Sequence, residues 1–327
     1  ANPRDFFHKW TRDLRDNQHP AGGYPGVAPG GIYGNNLDNE TSRLGWSDAG
    51  VIVPYVIWKQ FGDTAIVNQN WEAMMKYMKL LDRTGAEHEN LIPYNGDFQW
   101  GDWLSYEPLE SCGGGINHVV DGKVQHRPEA REYWAYLQGC YWISNAEMMA
   151  EMARATGRDD SRLTSMAQRA RDYVKARHLN DDGTFRCGIL NTMQTPALFA
   201  MRNKLVEGKN LEAMKQRLRE NFAQHGNCLQ TGFLGTSILL PTLTENGMVD
   251  IAYELLLQRK NPSWLYSVDN GATTIWERWN SYTLDKGMGE AGMNSFNHYA
   301  YGVVCQWIWN TMAGIQSDPA PVSYTHL

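Results

Sequence analysis

Four segments of the sequence set ionisable side chains among tryptophans and tyrosines. In NGATTIWERWNSY (270–282), Glu277 lies between Trp276 and Trp279. A carboxyl group beside indole rings is suited to acid or base duty near neutral pH. The competing reading is a Glu paired with Arg278 or another surface base, and a Trp on either side disfavours it. In FQWGDWLS (98–105), Asp102 sits between Trp100 and Trp103, and Gly101 lets the backbone approach a ligand closely. An unpaired charge is costly to bury, so an acidic residue in this setting points to function rather than core. In RLGWSDAG (43–50), Trp46 precedes a helix start and Asp48 falls in its first turn. A carboxylate there is also favoured by the exposed N–H groups, and spacing alone leans slightly to that capping role. In MNSFNHYAYG (293–302), His298 stands among Asn294, Asn297, Tyr299 and Tyr301. A lone His is more often structural than catalytic, but amide, phenol and imidazole together fit a sugar pocket.

The chemistry these segments share is carbohydrate recognition, in which flat apolar sugar faces stack on indoles and hydroxyls meet polar tips. Thirteen Trp and sixteen Tyr are many for 327 residues, although most must serve the core and surface. A net charge of −6 gives no basic field for nucleic acid or an anionic membrane. No Walker-type loop occurs, Ser237 follows GFLGT rather than sitting in G-x-S-x-G, and the histidines form no HExxH pair. No metal or cofactor is expected. The five cysteines (112, 140, 187, 228, 305) are scattered without a C-x-x-C, which predicts free, mostly buried thiols. No stretch reaches membrane-spanning length, and neither compartment nor oligomeric state can be read from the chain.

Apolar periodicity predicts the elements that must hold these loops: helices over 5–18, 47–61, 63–85, 131–156, 160–179, 195–205, 211–224, 236–243, 249–259 and 295–313. Ser47 is the expected cap of the second and Asp63 or Thr64 of the third. Almost no β-strand is expected. Helices apolar all round alternate with amphipathic ones, joined by long loops on alternate turns. That pattern suits an all-α toroid of helical hairpins better than a solenoid, since no fixed repeat length recurs.

FFHKWTRDLRDNQ, GWSDAGVIVPYVIWKQFGD, GDWLS, TGFLGT, SWLYSVDNGATTIWERW and MNSFNHYAYG, in this order over nearly the whole chain, resemble the bacterial α-L-rhamnosidases of glycoside hydrolase family 78. The resemblance implies an (α/α)6 toroid over 1–316 that releases terminal α-L-rhamnose with inversion, followed by a disordered tail over 317–327. On it Glu277 takes the place of the general base, and Trp46, Trp103 and His298 match positions lining the rhamnose pocket. Asp48, Asp102 and Trp276 are further expected pocket residues. The substrate class suggests a periplasmic or extracellular setting, with a rhamnose-containing carbohydrate as the partner.

In that family an acidic motif carrying the general acid precedes the FFxKW helix, and a C-terminal β-sandwich follows. Neither is found in these 327 residues. The expectation is therefore a chain short of its general acid and barely active alone. Its first hairpin should be incomplete, with apolar surface uncovered near Phe6, Phe7 and Trp10. The alternatives are a non-catalytic sugar-binding fragment or another (α/α)6 glycosidase such as a fucosidase- or glucoamylase-like hydrolase. A polysaccharide lyase is disfavoured because no Arg cluster accompanies the loops.

Overall fold

The computed structural model describes residues 3–29, 43–87 and 99–316. The tail expected over 317–327 lies outside them. The chain divides into two compact units, one of residues 1–100, 134–177 and 315–327, the other of 101–133 and 178–314.

In the first unit, α1 (Pro3–Asp16), α2 (Ala49–Phe61) and α3 (Thr64–Glu87) pack on one another. On α1, Thr11 and Leu14 are buried and Phe6 is 62% exposed. Phe7 and Trp10 are half-buried, and the Trp10 indole N–H donates to Ala28 O at 2.9 Å. α2 is apolar on every side and buries Val51, Pro54 and Ile57. It ends at Gly62, whose left-handed φ of 64° returns its N–H to Trp58 O. Asp63 Oδ1 then accepts from Ala65 N, starting α3 as the sequence suggests.

α4 (Pro128–Ala155) contributes to this unit from residue 134 on. Its Trp134, Tyr136, Ile143, Met149 and Met152 are all fully buried. α5 (Ser161–His178) is amphipathic: Leu163, Met166, Ala167, Ala170 and Val174 fall at helical spacing on the buried face.

In the second unit, α6 (Gln194–Arg202) packs on α8 (Phe233–Glu245) and on α7 (Gly208–Gln224), which buries Met214, Leu218, Asn221 and Phe222. α9 (Val249–Leu257) packs on α8 and on α10 (Trp264–Asp269).

The expectation of almost no β-strand holds, and two others need correcting. Two short antiparallel hairpins occur among the described residues: β1 (Asn117–Val120) with β2 (Lys123–His126), and β3 (Tyr282–Thr283) with β4 (Gly287–Met288). The first closes on Asp121–Gly122, both at positive φ, the two-residue turn that Asp-Gly favours. The helix expected over 295–313 is instead a 3-10 turn (Ala300–Val303), a short α11 (Val304–Trp307) and a π turn (Ile308–Met312). Residues 295–298 are drawn out because they bond to another segment, described below. Last, of the five free cysteines only Cys140 and Cys228 are buried.

Candidate active site

In the second unit, four segments converge. The loop 101–104 turns sharply, with Gly101 at φ 59° and Leu104 at φ 60°. A left-handed Leu stores backbone strain and needs support from its surroundings. That support comes from Glu110 Oε1, which accepts Leu104 N at 3.2 Å, and from the Tyr301 hydroxyl, which donates to Leu104 O at 3.1 Å. Trp103 follows Asp102 in this loop, is half-buried, and accepts Phe233 N on its carbonyl at 3.0 Å.

Asp102 itself is 2% exposed. Its Oδ2 accepts from Thr195 Oγ1 at 2.6 Å and from Gly232 N at 2.8 Å, and its Oδ1 from Gly235 N at 2.8 Å. It therefore caps the start of α8 and ties it to α6. The two glycines of TGFLGT make this approach possible: a Cβ at 235 would collide with Thr195 Oγ1 and Asp102 Oδ2, and one at 232 with the carbonyls of Trp103 and Asp102. Burial pushes the Asp102 carboxyl above its ordinary range, against the pull of its three donors.

Glu107, which sequence reasoning passed over, lies beside it. It is 5% exposed, and its Oε1 accepts from Gln194 N at 2.5 Å and Thr195 N at 2.9 Å, the first turn of α6. Oε2 is buried without a partner. Burial and the charge of Asp102 push the Glu107 carboxyl up to about 8. With three donors already committed to Asp102, the proton of this pair belongs on Glu107.

Glu277 is 9% exposed. Its backbone N–H donates to Ser295 O at 2.8 Å, and its Oε2 accepts from Ser295 N at 2.7 Å. Its other oxygen, Oε1, has no protein partner among the described residues. His298 N donates to Ile275 O at 2.9 Å, and Thr274 Oγ1 donates to Phe296 O, so residues 274–277 and 295–298 are laced together. The His298 ring stacks on Phe233, with centroids 5.1 Å apart, and its Nδ1 accepts from Ala300 N at 3.3 Å. The neutral ring then carries its proton on Nε2 as a donor. Trp279 stacks on Tyr301 at 3.9 Å and donates to Thr231 O at 2.9 Å, joining this segment to the start of α8. Trp276 is 7% exposed, meets Phe296 and Tyr282 edge-on, and lines an open cleft of about 360 Å³ with Asn270, Thr273, Thr274 and Met288. Arg278 does not pair with Glu277; its partner is Glu290.

Trp46 and Asp48 belong to the first unit. Trp46 is half-buried and packs against Trp100, with centroids 4.9 Å apart. Asp48 is fully buried. Its Oδ1 accepts from Tyr77 Oη at 2.8 Å and Asn145 Nδ2 at 2.5 Å, and its Oδ2 from Gly45 N at 2.7 Å. It makes no side-chain cap on α2, and Ser47, the expected cap, donates to Tyr24 O instead. The capping role expected of Asp48 therefore gives way to that of a hub joining α2's approach, α3 and α4. Asp48 and Asp102 are both buried, each with three protein donors on its carboxylate. Burial raises the Asp48 carboxyl pKa, opposed by Tyr77, Gly45 and Asn145.

No group of three or more His, Cys, Asp or Glu among the described residues is arranged to hold a metal ion, and no described helix is long and apolar enough to cross a membrane.

Residues 1–312 match the family model of the bacterial α-L-rhamnosidase six-hairpin glycosidase domain. An α-L-rhamnosidase of Streptomyces avermitilis is 34% identical over 313 residues, covering 95% of this chain and 27% of that protein. One of Formosa agariphila is 31% identical over 318 residues, covering 96% and 31%. The crystal structure of a Streptomyces avermitilis α-L-rhamnosidase complexed with L-rhamnose superposes with a TM-score of 0.78 at 33% identity, covering 95% of this chain and 27% of that one. That of an Aspergillus terreus α-L-rhamnosidase gives 0.78 at 25% identity, covering 97% and 34%. The chain thus spans about a third or less of the length of these relatives. The helical elements and the family match agree, and the chain belongs to the bacterial α-L-rhamnosidase six-hairpin glycosidase family.

Proposed function

We propose that this chain is hydrolytic machinery of an α-L-rhamnosidase that releases terminal α-L-rhamnose with inversion, using Glu277 as the general base. The observation that carries the reading is the division of labour within the Glu277 carboxylate. Ser295 N–H fixes Oε2, while Oε1 has no protein partner among the described residues and can accept a proton from water. In an inverting reaction that water attacks the anomeric carbon on the face opposite the leaving oxygen, and the base takes its proton as the bond forms. His298, held by Phe233 and Ala300, presents Nε2–H to a sugar hydroxyl. The L-rhamnose in the Streptomyces avermitilis relative supports the choice of sugar. Asp48 and Asp102 are not the proton donor in this reading, because their carboxylates are committed to protein donors; the acid of the pair is another carboxyl group.

The test is made in the full-length enzyme that contains this chain. Glu277→Gln is expected to lower kcat on an aryl α-L-rhamnoside by roughly 10²–10⁴-fold, the scale for losing a positioned base, while L-rhamnose still binds. Azide should yield β-rhamnosyl azide from that variant, since a small anion replaces the activated water on the same face. Proton NMR of the first product formed by the wild-type enzyme should show the β-anomer. Unchanged turnover in Glu277→Gln removes the base assignment, and α-rhamnose as first product removes inversion.

A further inference from the structure

Arg278 follows Glu277 in the chain, yet its guanidinium reaches toward the loop 290–293. Nε donates to Met293 O at 2.7 Å and Nη2 to Glu290 Oε2 at 3.2 Å, with Cys112 Sγ 3.5 Å from the same Nη2. The Glu290 carboxylate gathers that loop around itself, accepting from Gly292 N at 2.6 Å and Met293 N at 3.0 Å. Two residues beyond Met293, Ser295 supplies the N–H that fixes Glu277 Oε2. The connections close into a ring: Glu277 to Arg278 through the chain, Arg278 to Met293 through the guanidinium, Met293 to Ser295 through the chain, and Ser295 back to the Glu277 carboxylate. Ser281 braces its interior, taking Arg278 N on Oγ at 3.1 Å and Asn294 Nδ2 on its carbonyl at 3.0 Å.

We propose that Arg278 and Glu290 are positioning residues for Glu277, a clamp that sets where the Ser295 N–H stands and hence which way the free oxygen of the base points. This rests on Glu277 being the base. The reason to assign the pair to orientation rather than stability is its exposure. The Glu290 side chain is 55% exposed and that of Arg278 13%, and an ion pair with one partner so open to water contributes little to folding. A planar guanidinium holding a carboxylate and a carbonyl at once does define direction, which an ammonium cannot reproduce at both points. Small displacements of a catalytic group are costly, a misplacement of about 1 Å reaching roughly a hundredfold in rate.

The experiment compares Arg278→Lys, Glu290→Gln and the double variant in the full-length enzyme. Each single variant should lose about ten- to a hundredfold in kcat on an aryl α-L-rhamnoside while KM stays within about twofold, since ground-state contacts are untouched. The double variant should be no slower than the worse single one by more than about threefold, because the two residues act as one unit. L-rhamnose affinity by calorimetry and the melting midpoint of Glu290→Gln should stay at the wild-type values. Unchanged kcat in both single variants overturns the clamp, as do losses that multiply in the double variant or that come with an equal fall in rhamnose affinity. If Arg278→Lys does not fold, Glu290→Gln, altered at an exposed side chain, decides alone. Retained activity in Glu277→Gln is a different outcome and sinks the base assignment instead.

Discussion

Three carboxylates in this chain have the same chemistry and three different settings. Asp48 has Tyr77, Asn145 and Gly45 converging on it in a fully buried place. Asp102 has Thr195 and two backbone N–H groups. Glu277 has a single donor and an oxygen to spare. Counting donors separates the hubs from the base candidate, which is why direct contact with sugar is assigned away from the two aspartates. For Asp48 the expected outcome follows. Asp48→Ala should lower the unfolding free energy by about 3 kcal/mol or more, because three buried donors lose their acceptor at about 1–3 kcal/mol each. Asp48→Asn, which keeps one carbonyl oxygen, should lose clearly less. KM for an aryl α-L-rhamnoside should stay within about twofold in Asp48→Asn. A large rise in KM without loss of stability would restore the sugar-contact role.

At the level of elements, the site depends on how closely helices start against one another. Thr195 opens α6 and serves both acids, giving its N–H to Glu107 and its hydroxyl to Asp102, while α8 begins on the Asp102 carboxylate. Gly235 is the residue that lets the two helices meet there, since any Cβ would strike Thr195 and Asp102. Gly235→Ala should cost about 1–3 kcal/mol by overpacking and lower activity, as the Asp102–Trp103 loop shifts. Gly188→Ala, where a Cβ would meet nothing within 4 Å, is the control and should cost less than about 0.5 kcal/mol. Equal urea midpoints for the two variants would rule out the close-approach argument. The elements that the sequence left out were partly legible: Asp121–Gly122 between apolar residues signals a hairpin, and Ser263, whose hydroxyl accepts Tyr266 N, signals the start of α10. The irregular run before Ala300 was not legible. Its apolar spacing reads as helix, but Ser295, Phe296 and His298 are claimed by Glu277, Thr274 and Ile275.

For the whole molecule, Glu107 makes stability depend on pH in a definite direction. Its carboxyl is pushed from an ordinary 4.5 to about 8 by burial and by Asp102. Between those values the folded chain keeps a proton that the unfolded chain has released, so this stabilising contribution is complete below about pH 4.5 and is lost as the pH climbs through about 8. Glu107→Gln removes the titration. The stability difference, wild type minus variant, should fall across that window with a slope of at most about 1.4 kcal/mol per pH unit. Urea unfolding at several pH values measures it, and a difference that stays flat refutes a protonated Glu107. The sequence by itself determined the helical class, most of the helix positions and the family. Those signals are local, written in spacings of three and four residues, in caps and in contiguous motifs. Only the tertiary structure decided which donors each carboxylate meets. Two of the three donors on Asp48 come from 29 and 97 residues away, and those on Asp102 from 93, 130 and 133. A carboxylate's role depends on how many of its oxygens the fold leaves open, and no local spacing records that.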